Sequence, residues 1–197
     1  MLGGKDRRAA QAARGERANM VREIYLVRHG AADRTGDYET APGPGLNERG
    51  RFEAYQAACF LSGRGVERLY VSPFRRTRET AEQIGEQLGL LLSLREGLAE
   101  ARRDESADSV RVRVRAFLQT LEDAPLPVVA VVSHGTPLLV LRAELCGEAV
   151  DLRRTPSGEA PLPSAGIWRA WHDGDRWHVE PAFAPADHAW QARQIVL

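Results

Sequence analysis

The sequence predicts an α/β protein, a three-layer α/β/α sandwich with a mostly parallel central sheet. Two observations point there. Short apolar runs recur at Ile24–Val27, 66–72 and 127–135, as in strands buried on both faces. The segments that follow them carry helical caps or helical apolar spacing. Strands alternating with helices build a mostly parallel sheet covered on both faces.

The elements follow in order. Ile24–Val27 is the first strand, and a Gly/Pro-rich loop, "YETAPGPG", comes after it. Asn47 is an N-cap for a helix of about 15 residues, with Phe52, Tyr55 and Cys59 on its apolar face. "VERLYVS" is the second strand. Ser72-Pro73 reads as an N-cap with proline at the first helical position. The helix it opens runs to Leu88 with a stripe of Ala81, Ile84 and Leu88. "LLLSL" is a third strand, 96–106 is irregular, and 107–122 is a helix ended before Pro125. "PVVAVVSHG" is the clearest buried strand, and a helix from Pro137 to Leu145 follows, stopped by Gly147. "GIWRAWHDGDRWHVE" alternates around Asp173-Gly174-Asp175 and reads as a hairpin adding an antiparallel edge. The folded domain is expected over 21–197, preceded by a mobile basic tail, 1–20.

The chain of 197 residues is long enough for one domain with a sizeable core. It carries 27 basic and 27 acidic residues, a balance that argues against coating nucleic acid or anionic membrane. No stretch approaches the roughly 20 apolar residues of a membrane span. Residues 1–19 lack the apolar segment of a secretory signal. Cys59 and Cys146 read as buried thiols with no disulfide framework or metal spacing. A reducing, cytoplasmic location fits this cysteine usage.

In open α/β sheets, ligands bind beyond the carboxyl ends of the strands. Three such ends carry polar residues here: Arg28-His29-Gly30, Ser72-Pro73 and Ser133-His134-Gly135. Two strands thus deliver a histidine each to one edge. The third delivers a helix whose first turn bears Arg75 and Arg76. Arginine offers bidentate donors to phosphate oxygens, and a helix N-terminus adds backbone donors. The combination points to a phosphoryl group.

The blocks "LVRHG", "LNERGRFEA", "SPFRRTRETA", "GLAE" and "VVSHG" resemble, in order and spacing, the histidine phosphatase superfamily, in its phosphoglycerate mutase-like branch. The resemblance covers residues 22–190 or so. It implies the phosphoglycerate mutase-like fold and a metal-independent phosphatase, with no cofactor, acting on a small phosphorylated metabolite. It implies His29 as the nucleophile that becomes phosphohistidine, and Arg28 and Arg76 as phosphate-binding residues. His134 matches the second histidine, serving both catalysis and phosphate binding, and Glu100 matches the acid that protonates the leaving oxygen. Glu96, in "LRE", has a similar local pattern and is the rival to Glu100. In this reading Arg28, Arg76 and a protonated His134 disfavour imidazolium at His29, and a backbone carbonyl holds its other ring nitrogen. Gly30 lets the backbone bend away from the phosphate pocket.

The sequence departs from the pattern in two places. Ala32 stands where several members carry Ser or Thr, and "ARRDESAD" replaces a Gly-x-Trp-Glu-Gly segment. The short loop there favours hydrolysis over mutase-type transfer, because water reaches an uncovered phosphohistidine. Phosphoglycerate mutase, protein phosphohistidine phosphatase and a phosphate-binding pseudoenzyme are the alternatives.

Overall fold

The structure, a computed structural model, describes residues 22–33, 35–122, 127–149 and 162–186. The expected tail at 1–20, its boundary with the domain, Pro125 and Trp190 lie outside the described residues.

Six strands form one sheet: β1 (Glu23–Arg28), β2 (Arg68–Val71), β3 (Leu92–Leu94), β4 (Val128–Ser133), β5 (Ile167–His172) and β6 (Trp177–Phe183). Their order is β3-β2-β4-β1-β5-β6. The first four are mutually parallel, and β5 runs antiparallel to both β1 and β6. The predicted mostly parallel sheet with an antiparallel edge is therefore present. Four helices complete it: α1 (Glu48–Leu61), α2 (Arg75–Leu88), α3 (Ala107–Glu122) and α4 (Gly135–Cys146).

The strand pleat divides the core in two. Ile24, Leu26, Val129 and Val131 pack with Val110, Val114, Phe117, Leu138 and Leu141 of α3 and α4. Tyr25, Val27, Ala130 and Val132 pack with Ala57, Leu61, Ala81 and Ile84 of α1 and α2. Every interior position of β1 and β4 is apolar because both faces are covered. Trp168 is buried in the first cluster and Trp177 packs against it, which accounts for two of the four tryptophans as hairpin packing.

Three local readings need correction. The buried face of α1 is Gly50, Glu53, Ala54, Ala57, Ala58 and Leu61, not the Phe52, Tyr55 and Cys59 face. Small side chains win that position because α1 packs closely beside α2, and Tyr55 is left 55% exposed. Cys59 is consequently exposed and Cys146 only half-buried, so neither is a core thiol. Helix α2 begins at Arg75 with Phe74 as its cap residue, which makes no side-chain cap bond. The Ser72 hydroxyl is engaged elsewhere, as described below.

Asn47 does cap α1, accepting from the Gly50 N–H at 2.8 Å. Its own backbone N–H and side-chain amide donate to the carbonyls of Ala31 and Ala32. The segment after β1 is thereby pressed onto the first turn of α1. Two glycines make that approach possible. A Cβ on Gly50 would lie 1.9 Å from the Ala31 carbonyl oxygen, and one on Gly30 would lie 2.4 Å from the Gly50 carbonyl oxygen. The need for Gly30 is thus close contact with α1, not a bend away from the pocket.

Gly50→Ala has no flexible neighbour to displace. It should cost about 3 kcal/mol or more, at or above the upper end of ordinary overpacking penalties. Urea denaturation would measure this, and a loss below about 1 kcal/mol would show that the 31–50 contact is loose.

Candidate active site

Register places the three polar strand ends side by side. Arg28 pairs with Ser133, and Val71 pairs with Val132, so His29, Ser72 and His134 emerge at one edge of the sheet. The two imidazole rings lie edge to face, with centroids 5.2 Å apart.

His29 is 8% exposed. Its backbone is fixed by the Ser133 carbonyl and by the Ala165 N–H. Its Nδ1 lies 2.8 Å from the Gly30 carbonyl oxygen. A carbonyl only accepts, so Nδ1 carries the proton and Nε2 holds a free lone pair. Burial lowers the His29 pKa to about 3, opposed by the Gly30 carbonyl and reinforced by Arg76 and Arg28.

His134 is fully buried, with Nε2 2.7 Å from the Ser72 hydroxyl. Its pKa is pushed well below the ordinary value by burial first, then by His29, Arg76, Arg113 and Arg28. It is neutral, so the expected protonated His134 is not the form in this site. The two arginines supply the positive charge.

Arg28 donates to the Leu162 carbonyl at 2.6 Å. Arg76 is 1% exposed, donates to the Tyr38 carbonyl and lies over the rings of Phe74 and Tyr38. Among the described residues, five buried side-chain atoms lack a hydrogen-bond partner. Four of them are Arg28 Nε, Arg76 Nε and Nη1, and His134 Nδ1. Unmet buried donors are costly, and here they gather at one edge of the sheet.

Glu100 Oε2 sits 3.7 Å from His134 Nδ1, and Oε1 accepts from the Ala101 N–H. Burial raises its pKa against the opposing pull of that N–H, Arg76, Arg28 and Arg113. Its rival Glu96 is exposed at the start of a 3-10 turn, Glu96–Leu98. The turn is anchored from below by the Ser133 hydroxyl on the Leu98 carbonyl and by Arg113 on the Gly97 carbonyl. Arg113 also grips Glu105 through two bonds. Arg102 and Arg103 pair with Asp104 and Glu39 in solvent.

Sequence reasoning brought Arg28, His29, Arg76 and His134 to one edge, the resemblance added Glu100, and the structure brings all five together. It missed the partners. Ser72 was assigned to a cap and instead holds His134. Thr80 accepts from the Gly30 N–H and donates to the Arg76 carbonyl, tying the His29 loop to α2. Glu53 is buried on α1 and accepts from the Ala31 N–H. A carboxylate on a face otherwise made of Gly and Ala was its available signal. Arg113 left none.

Among the described residues, no group of three or more His, Cys, Asp or Glu side chains could hold a metal ion. No described helix is long and apolar enough to cross a membrane.

Comparison with known proteins identifies a family. Residues 24–105 match the histidine phosphatase superfamily (branch 1). The chain is 32% identical over 164 residues to the phosphohistidine phosphatase SixA of Escherichia coli (strain K12), covering 81% of this chain and 94% of that protein. A mycobacterial glucosyl-3-phosphoglycerate phosphatase shares the fold at TM-score 0.69 and 23% identity, over 84% of this chain and 100% of that one. Bacillus stearothermophilus YhfR does so at TM-score 0.68 and 21% identity, over 83% and 98%.

The depressed His29 pKa has a consequence for stability. Unfolding restores an ordinary imidazole, so the unfolded chain binds the proton more readily below pH 6.5. The contribution is therefore full above about 6.5 and is lost as pH falls toward 3. Between pH 7 and 5, His29→Gln should lose about 2 kcal/mol less stability than wild type. Urea melts in phosphate-free buffer would check this, and equal losses would contradict a buried neutral ring.

Proposed function

The chain belongs to the histidine phosphatase superfamily, and from that premise we propose that it hydrolyses phosphate monoesters through a phosphohistidine on His29, without a metal ion. One observation carries the proposal: Arg28, Arg76 and His134, whose side chains hold unpartnered atoms, all lie close to the buried ring of His29, whose Nδ1 is tied to the Gly30 carbonyl. A phosphoryl group supplies the acceptors they lack.

In this reading Arg28 and Arg76 hold the phosphoryl oxygens as charge redistributes in the transition state. The Ser72 hydroxyl donates to His134 Nε2, which leaves Nδ1–H of His134 as a further donor. The His29 Nε2 lone pair forms the N–P bond while the ester P–O bond breaks. The departing oxygen takes the proton of Glu100, whose pKa is raised. Glu100 then acts as base toward the water that clears phosphohistidine. The substrate is a small phosphorylated metabolite. No step calls on a metal or cofactor.

A second reading is supported by the likeness to SixA, a phosphohistidine phosphatase. Imidazole is a good leaving group from phosphorus, so a phosphohistidine substrate needs no acid at Glu100. The two readings differ in what Glu100 does.

Hydrolysis of p-nitrophenyl phosphate from pH 4 to 8 in excess EDTA should proceed in wild type and vanish in His29→Ala. Loss of activity in EDTA would overturn the metal-free mechanism. Glu100→Gln should slow an alkyl phosphate about 100-fold, within the range of general acid catalysis. An undiminished rate on a phosphohistidine peptide beside that loss on the ester would identify which substrate class the acid serves.

A further inference from the structure

Among the described residues, the mechanism leaves one buried carboxylate, Glu53, unused. The Glu53 side chain is 4% exposed, yet it lies under the His29 loop. Its Oε2 accepts from the Ala31 N–H at 2.8 Å. That N–H and the Gly30 carbonyl belong to the same peptide unit. The Gly30 carbonyl is the acceptor for His29 Nδ1–H, also at 2.8 Å. Carboxylate, peptide and imidazole therefore stand in one hydrogen-bonded line.

We propose that Glu53 is a positioning residue that tunes His29 through the Gly30–Ala31 peptide, as a carboxylate acting on the nucleophile at one remove. The proposal rests on the reading of His29 as the nucleophile. A negative charge on the peptide N–H side pushes electron density toward its carbonyl oxygen, and bonds in a chain strengthen one another. The polarised carbonyl holds Nδ1–H more firmly and fixes the tautomer with Nε2 free. When Nε2 bonds to phosphorus, the ring gains positive charge and Nδ1–H becomes more acidic. The same carbonyl then bears more of that charge. The surroundings suit the effect: after burial, Arg76 and Arg28 withdraw basicity from His29, and the relay from Glu53 works against them.

The counter-ion of Glu53 gives the idea a sign. Arg49 Nε donates to Glu53 Oε1 at 2.6 Å, but the Arg49 side chain is 62% exposed. A wet cation offsets a buried anion only partly. Removing Arg49 leaves the charge on the relay less compensated, and removing the Glu53 charge abolishes it. The two changes should move His29 in opposite directions.

Glu53→Gln keeps an oxygen for the Ala31 N–H and removes the charge, so it separates electrostatics from support of the loop. The ring nitrogens of His29 can be read by 15N NMR through their carbon-bound protons, assigned by comparison with His29→Ala. In Glu53→Gln the Nδ1 and Nε2 shifts should draw together as the tautomer loosens. The kcat on p-nitrophenyl phosphate should fall about fivefold with KM little changed. In Arg49→Ala the two nitrogen shifts should move apart and kcat should not fall. Wild-type shifts and kcat in Glu53→Gln, beside a damaged Glu53→Ala, would reduce Glu53 to a loop support and overturn the proposal. Shifts in both variants moving the same way would overturn it as well. The nitrogen shifts do not depend on turnover. Activity surviving in His29→Ala would therefore sink the nucleophile assignment and leave the relay to be judged on the spectra alone.

Discussion

Two guanidinium groups are withdrawn from water beside two imidazoles, and neither makes an ion pair with a carboxylate among the described residues. Much of the rest of the molecule follows from that constraint. Burying charge without a counter-charge is among the most expensive things a fold can do. Here the cost is met by geometry: the Leu162 and Tyr38 carbonyls, the faces of Phe74 and Tyr38, and a close-packed α1–α2 pair beneath. The arginines remain charged and underpartnered, so the site is prepared for an anion before one arrives. Burial first, and the arginines after it, keep both imidazoles neutral, which in the proposed mechanism leaves His29 able to act as a nucleophile.

Rigidity at this edge comes from short links of unlike kind. Thr80 joins the Gly30 N–H to the Arg76 carbonyl, so the loop after β1 and the start of α2 move together. Ser133 and Arg113 do the same for the turn before Glu100. Gly30 and Gly50 allow two backbones to touch where any side chain would separate them. The candidate site residues thus sit on strand ends and helix starts, with only Glu100 carried by irregular backbone, and the turn before it is anchored by Ser133 and Arg113.

The architecture was legible because periodicity is local. Apolar runs on β1 and β4, the Asn47 cap and the Gly147 stop are decided within a few residues. The site was legible for another reason: sheet topology brings all parallel strand ends to one edge, so their polar residues had to meet. Ser72 failed as a cap because a partner 62 residues away competes for its hydroxyl, and local rules cannot see it. The face of α1 was misjudged because hydrophobicity ranked Phe52 and Tyr55 above alanine, whereas close helix contact selects small size. Glu53 escaped notice since a carboxylate on a helix is ordinarily solvated, and its partner N–H becomes apparent only once β1 and α1 are in contact.

The electrostatics of the site also bear on the proposed mechanism. Burial first, and then His29 and the nearby arginines, keep His134 neutral, while the arginines pull against the protonation that burial favours at Glu100. In the proposed mechanism, a phosphoryl dianion held by Arg28 and Arg76 offsets their positive charge. It cancels the cationic pull on Glu100 and adds a like charge beside it, and both changes favour the protonated carboxyl. The same dianion relieves the repulsion that disfavours a proton on His134. In the proposed mechanism, proton uptake at Glu100 is therefore coupled to binding of the phosphoryl group, so the carboxyl carries a proton when the leaving oxygen is beside it.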